Sequence, residues 1–420
     1  MTLSPTARWT TGWLLAAAWA LSFPLFSALA PHRLWGWCAA AGYLGAAAAT
    51  ALGRRRAALA AALLGAVAVP LLWLVLTGQG QSEVTVIERS GRLLLDSGRL
   101  YVDRPAQVEE YTPYLPGMAL LGVPRALLGG DGSGDGWVVR MLGDARIWCA
   151  AALFGCLWAA RRLLGGGPAG GWGDGPSGGP GRLLPVLAAS PVVALPLTVS
   201  GVDLPLAGLC CLALAAAASG RPVLTGAALA GACALKWTAL PAVAVAVALL
   251  AVLRGGRPAV RCALVAAGGT TLLVLPAALL QPAELWRQVF AFPTGRAPVP
   301  TPASSPLPGR LLTELGPWGW YLAMGLLLSG GLAVALSLLT RPPRTVVAAA
   351  DRLALGLTLA FLLAPAGRFG YLALPVLLAV WARSVAVPGV SRVVTGSFRL
   401  RPSGGGRPTA RNERPGGHFA

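Results

Sequence analysis

Six carboxylates crowd one polar stretch, QGQSEVTVIERSGRLLLDSGRLYVDRPAQVEEYTPYLPG at 79–117: Glu83, Glu88, Asp96, Asp103, Glu109 and Glu110. The whole chain has only 15 Asp plus Glu, so this segment holds a large share of its possible bases. Tyr101, Tyr111 and Tyr114 lie among them. A carboxylate within reach of a hydroxyl takes its proton in the transition state and so serves as a general base. Partial desolvation at a membrane surface raises the pKa of such a group and makes it a stronger base. Cations suited to an anionic leaving group stand elsewhere: Lys236, Arg368 and, inside the polar stretch, Arg89 and Arg104. A guanidinium presents a fork of donors that fits a phosphate. Asp203, between SG and LP, completes the set of charged candidates.

Each of these residues also has an ordinary reading. A single acid in an outward loop is solvated surface. Asp203 followed by Pro205 has the form of a helix N-cap with proline in the first turn. Lys236 can snorkel to an interface, although an unpaired cation between apolar runs is costly and calls for a partner. Arg368, in APAGRFGYLALP, suits an interfacial anchor. The acids are harder to dismiss as a set, because they alternate with tyrosines beside the short apolar run MALLGVPRALL at 118–128. That run is too short to cross a bilayer and reads as an interfacial or re-entrant helix kinked by Pro124.

The elements that position these residues follow from composition. The chain has 420 residues, 55% hydrophobic and 12% charged, with a mean hydropathy of +0.66. A helix needs about 20 apolar residues to cross a hydrocarbon core of about 30 Å. Runs of that order recur at 11–30, 35–52, 57–77, 144–160, 183–199, 204–219, 262–281, 317–340, 346–365 and 370–387. Residues 222–253 read as a hairpin of two more spans with Lys236 near its turn. The first run is too long, and too soon followed by another, for a cleaved signal peptide. The runs are continuous, not alternating, which excludes a transmembrane β-barrel. The expected fold is therefore an all-α polytopic membrane protein of about 11–13 transmembrane helices, occupying residues 1–387. It carries two large outer loops, 78–143 and 282–316. Residues 164–182 read as a Gly-rich connection, and 388–420 as a disordered basic tail.

The net charge of +19 does not make a nucleic-acid surface. The arginines sit at the ends of apolar runs: Arg54, Arg55 and Arg56, Arg161 and Arg162, Arg221, then Arg254, Arg257 and Arg261, then Arg341 and Arg344. With about twelve crossings and both termini cytoplasmic, every one of these clusters falls inside and both polar loops fall outside, as the positive-inside rule requires. All seven cysteines lie in apolar runs with no CxxC pair, and the only histidines are His32 and His418. No metal site and no cofactor is expected from them.

The blocks SEVTVIERSGRLLLDSGRLY, EYTPYLPGMALLGVPRALL, SGVDLPLAGLCCLALA, GAALAGACALKWTALP and APAGRFGYLALP resemble, in order, the bacterial polytopic glycosyltransferases of the GT-C fold. The resemblance covers residues from about 80 to 376. It is closest to glycosyltransferase family 87, the polyprenyl-phosphate-mannose-dependent mannosyltransferases common in actinobacteria. It implies transfer of a sugar from a polyprenyl-phosphate donor to a lipid or glycan acceptor outside the cytoplasmic membrane. It also implies a base early in the first outer loop. The family has an Asp there, before a Val-Tyr pair; the matching residue here is Glu83, with Val86-Ile87 following. The extra methylene moves the carboxylate by about an ångström, enough to matter to catalysis, so Asp96 and Asp103 stand as alternative bases. The family's YPP segment corresponds to Tyr111-Thr112-Pro113-Tyr114-Leu115-Pro116.

The expected arrangement is then a base at Glu83, Asp96 or Asp103, and a donor-phosphate site of Lys236, Arg368 and Arg89. Substrate contacts would come from Tyr101, Tyr111, Tyr114 and Asp203. Expected partners are the lipid-linked sugar, its acceptor and the surrounding membrane lipids, with no nucleic acid. Two other classes stay open: a transporter or flippase with Lys236 and Asp203 on its path, and a membrane scaffold without chemistry.

Overall fold

Apolar helices dominate because apolar, alanine-rich segments with few charges satisfy their backbone internally and bury or shed their side chains into lipid. The computed structural model describes residues 4–129, 136–165 and 183–385. The expected connection at 164–182 falls, but for its first two residues, outside that set, as does the tail from 388. Among the described residues there is no β-strand, only an isolated parallel bridge between Ser304 and Gly367. The protein is an all-α polytopic membrane protein.

Five of the described helices are long and apolar enough to cross a bilayer: Arg55–Leu76, Trp237–Arg254, Gly256–Leu280, Pro317–Thr340 and Val346–Leu363. The pair Trp137–Gly143 and Ala145–Leu163, bent by 49°, makes a sixth if it is one span. In Gly256–Leu280 and Pro317–Thr340 only 11% of the apolar window is buried inside the protein, so most of each helix faces outward. Leu272, Leu279, Leu332 and Leu339 are each exposed by 70% or more. Stripes of leucine on that scale are stable only against hydrocarbon.

The main core gathers around Leu204–Ala218, which is buried along most of its length between Ala145–Leu163, Pro222–Leu235 and the last two helices. A second core joins Pro5–Phe26, Ala30–Ala51 and Arg55–Leu76. There Gly42 meets Gly65 backbone to backbone, and the Trp35 indole N–H donates to Ala66 O at 2.8 Å. Ala66 lies in a π-turn, Leu64–Ala68, of the third helix.

Contacts sort the two ends of the bundle. Ser219 Oγ donates to Leu163 O at 2.9 Å, and Gly220 packs against the Arg254 guanidinium. Arg161, Arg162, Arg221 and Arg254 therefore share one end. The helix Pro222–Leu235 runs away from that end and stops at Lys236, whose extended backbone (φ −156°, ψ 132°) turns the chain into the return helix. This is the hairpin expected at 222–253.

The polar stretch 79–117 is more ordered than its charge suggests. Residues Ser82–Ser97 form an amphipathic helix closed by Gly98 in the left-handed conformation, φ 69°. Gly91 and Gly122 bring this helix against the 118–128 segment so closely that a Cβ at either would lie within 2.3 Å of backbone. That segment is a 3₁₀ turn, Pro116–Leu121, and a short α-helix, Val123–Leu128. Pro124 opens the second piece instead of kinking a single helix, since proline is tolerated in a first turn.

Candidate active site

Four charged side chains from four separated stretches meet at the end of the bundle opposite the arginine clusters. Glu83 stands in the first turn of Ser82–Ser97, where the helix dipole favours an acid, and it accepts from Arg368 Nη1. Lys236 Nζ donates to Asp203 Oδ1 at 2.7 Å. Asp203 occupies the N-cap position of Leu204–Ala218, yet its side chain makes no capping bond and reaches the lysine instead. The ordinary reading of that residue thus describes its position and not its contact. Two acids and two bases make the quartet neutral. Its side chains keep 15% to 28% of their surface exposed, so they are partly desolvated but open to a ligand.

Two tyrosines complete the cluster. The ammonium of Lys236 lies 5.6 Å from the Tyr114 ring centroid and 5.0 Å from that of Tyr371. Both are within the range of cation–π attraction. Burial pushes the Tyr114 hydroxyl far above its usual pKa, helped by the Glu83 and Asp203 carboxylates and opposed by Arg368. Tyr114 is thereby a neutral donor at any physiological pH. It is fixed by its loop: Leu115 N–H donates to Leu235 O at 3.0 Å, one residue from Lys236.

Arg368 is held on both sides of its backbone. Ser305 N–H donates to Gly367 O and Gly367 N–H to Ala303 O, each at 3.0 Å, while Phe369 N–H reaches Ser305 Oγ at 3.3 Å. The second polar loop thus supplies the seat of this arginine. Two residues before Glu83, the amide Nε2 of Gln81 donates to His32 Nε2 and the Gln81 N–H to Val199 O.

The structure thus brings Glu83, Lys236, Arg368, Asp203 and Tyr114 together. It places the remaining sequence candidates elsewhere. Asp96 is exposed near the end of the loop helix. Asp103 is exposed and pairs with Arg99. Arg89 donates to Glu109 O at 2.7 Å and Glu110 O at 2.9 Å, tying the loop to itself. Arg104 takes a positive φ of 51°, and its N–H reaches Glu284 Oε1 at 3.3 Å. Tyr101 is buried with its hydroxyl on Tyr114 O at 3.0 Å, and Tyr111 stacks on Phe292 at 4.3 Å.

Sequence reasoning missed Tyr371. Tyr371 stands three residues after Arg368 in the block already singled out, and that spacing was the available signal. Glu88 stands among the loop acids in the sequence, but its partners on the second face of the loop helix were missed. Glu88 accepts from Ala145 N–H at 3.1 Å, beside the buried pair Asp144–Arg146, whose guanidinium is 2.8 and 2.6 Å from the two carboxylate oxygens. Burial, then the neighbouring Asp144, raises Glu88 to about 7. These residues line a cavity of about 360 Å³. Among the described residues no three His, Cys, Asp or Glu side chains gather to hold a metal.

No protein-family model, curated protein or solved structure matches this chain.

Proposed function

We propose that this chain is a membrane glycosyltransferase of the GT-C type, moving a sugar, mannose in the first instance, from a polyprenyl-phosphate donor to a lipid or glycan acceptor. The observation that carries this reading is the meeting of Glu83 with Lys236 and Arg368 at one end of an apolar bundle. A carboxylate beside two cations is what base-assisted displacement of a phosphate requires. The reading places that end outside the cell membrane and the arginine-rich end, with both termini, in the cytoplasm.

The step is an inverting displacement. The acceptor oxygen bonds to the anomeric carbon as its proton passes to the Glu83 carboxylate. The bond from that carbon to the phosphate oxygen breaks, and its electron pair stays on the departing polyprenyl phosphate. Lys236 and Arg368 stabilise the charge developing on that oxygen, and positioned cations in a partly dry site act strongly on such charge. Without donor, Arg368 neutralises Glu83. A phosphate arriving between the cations competes for the arginine and frees the base when the substrate is present. Tyr114 and Tyr371, already over Lys236, hold the ammonium between them.

The test is transfer from labelled polyprenyl-phosphate-mannose in membranes containing the full chain. A labelled product that disappears in a folded Glu83→Gln protein supports the assignment. Unchanged transfer in that protein removes Glu83 from the role. Absence of product with mannose, glucose and arabinose donors turns the weight to a transporter or flippase. The broken helix at Lys236 favours that second reading, because interrupted helices mark transport sites. Cysteine labelling at position 236 from both sides of the membrane would be its signature.

A further inference from the structure

The first two helices, Pro5–Phe26 and Ala30–Ala51, are joined through residues 27–29. His32 stands at that turn, ahead of the apolar run 35–52, and its imidazole reaches the polar loop. Phe23 meets the ring edge to face at 5.5 Å. Ser27 Oγ lies 3.3 Å from Nδ1, and the Gln81 amide donates to Nε2. A neutral imidazole has one acceptor nitrogen and one donor nitrogen. Acceptance at Nε2 therefore leaves the proton on Nδ1, which donates to the Ser27 oxygen.

Gln81 occupies the N-cap position of Ser82–Ser97, yet its side chain makes no capping bond. The favoured caps are the shorter Ser, Thr, Asp and Asn. The glutamine amide goes to His32 instead, while its backbone N–H donates to Val199 O at 2.9 Å. These two bonds come from different parts of the bundle and fix the chain two residues before Glu83. Two charged groups act on the ring. Burial pushes His32 below its ordinary 6.5; Glu83, from the loop helix, opposes that shift, and Arg368, from the turn before the last helix, adds to it. Among the described residues, Phe23, Ser27 and Gln81 contribute no charge, and the adjacent Arg33 is exposed.

We infer that His32 is a positioning residue for the base: it fixes Gln81, and so Glu83, and transfer requires its neutral ring. The inference rests on the transferase reading in taking Glu83 as the base. Protonation of the ring acts on that base in two ways. It turns Nε2 into a donor facing the donor amide of Gln81, so the bond that fixes the start of the loop helix is lost. It also adds a cation that favours ionised Glu83 and lowers its affinity for the acceptor's proton. A phosphate that draws Arg368 away then leaves Glu83 still beside a positive charge. Transfer therefore falls as pH drops through the titration of His32.

The chain has two histidines, His32 and His418, so His418→Gln alone assigns the ring NMR signals of the full, histidine-labelled chain in detergent. His32 is expected as the Nδ1–H tautomer, with a midpoint below 6.5. Glu83→Gln should move that midpoint down and Arg368→Gln should move it up, each by about half a unit or more, the scale of one nearby charge. A midpoint unmoved by Glu83→Gln overturns the inference, whatever the chain transfers.

The second arm is transfer from labelled polyprenyl-phosphate-mannose. His32→Ala should lower kcat about tenfold to a hundredfold, the cost of misplacing a reacting group by about an ångström, with KM for the donor nearly unchanged. His32→Gln offers Oε1 where Nε2 accepted, and should recover part of the rate while losing the fall at low pH. If a melting curve shows that His32→Ala is unfolded, His32→Gln and the NMR midpoints decide. Undiminished kcat in folded His32→Ala, or a fall at low pH that persists in His32→Gln, overturns the inference and leaves the transferase reading standing. Coupled midpoints in a chain that transfers nothing, or that transfers equally as Glu83→Gln, overturn both.

Discussion

The two halves of the stretch 79–117 have similar composition and opposite uses. In the first half, Glu83 meets Arg368 from the far end of the chain. Glu88 enters a cavity walled by three arginines. In the second half the acids turn back on their own segment: Asp103 pairs with Arg99, and Glu110 accepts the N–H groups of Ala106 and Gln107, which holds its carboxyl below the usual range. Distant residues do reach this half, but none of them brings a cation: they are the amides of Gln281 and Gln288 and the Glu284 carboxylate, which accepts from Arg104 N–H at 3.3 Å. Gln281 accepts from Leu100 and Tyr101 N–H and donates to Tyr101 O; Gln288 accepts from Thr112 N–H and donates to Val102 O. They satisfy a buried backbone that would otherwise be left unpaired, and such a loss is expensive. The first half carries the candidate site and the second half is the clamp that holds it down. Acid count does not separate them; the charge and origin of the partner does.

The sharpest way to break this contrast is the base. Glu83→Gln should lower transfer by about 10²- to 10⁴-fold, the scale of general-base catalysis, while Asp96→Asn and Asp103→Asn leave it near that of the natural chain. A parallel assay of the three proteins checks it, and equal losses would erase the distinction. Next is the clamp. Arg89→Ala removes two charge-assisted bonds to loop carbonyls and should cost about 1–3 kcal/mol in stability, read from denaturation in detergent.

A smaller effect comes from Glu88. Its folded pKa of about 7 lies above the ordinary 4.5, so the folded chain binds more protons between those values and loses stability as pH rises through them. Glu88→Gln should abolish that slope in melting temperature measured across the same interval. The smallest effect is expected at the Arg99–Asp103 pair, more than half exposed on both sides. Its removal by Asp103→Asn should change stability by less than about 1 kcal/mol.

The architecture was legible where physics is local. Apolar length marks Pro317–Thr340 and Val346–Leu363 almost to the residue, and an expensive lysine between apolar runs marks the hairpin turn at Lys236. The loop helix was not legible, because its many charged residues suppress its hydropathy. Its buried positions, Val84, Ile87 and Gly91, are only three or four residues apart on one face. The quartet was legible by residue type but not by pairing. Nothing near Asp203 in sequence says that its carboxylate will leave its own helix for Lys236. The cavity was invisible for the same reason, since Glu88, Arg125, Arg140 and Arg146 belong to four separate helices, the first two of which meet through the close approach of Gly91 and Gly122.

The backbone bonds that seat Arg368 between Ala303 and Ser305 carry a kinetic consequence. An arginine on a free loop must be ordered each time it grips an anion, and that entropy is subtracted from affinity at every turnover. Here the ordering is completed once, during folding. On the transferase reading, substrate capture should therefore need no ordering of this loop, only the exchange of an already placed guanidinium from Glu83 to the incoming phosphate.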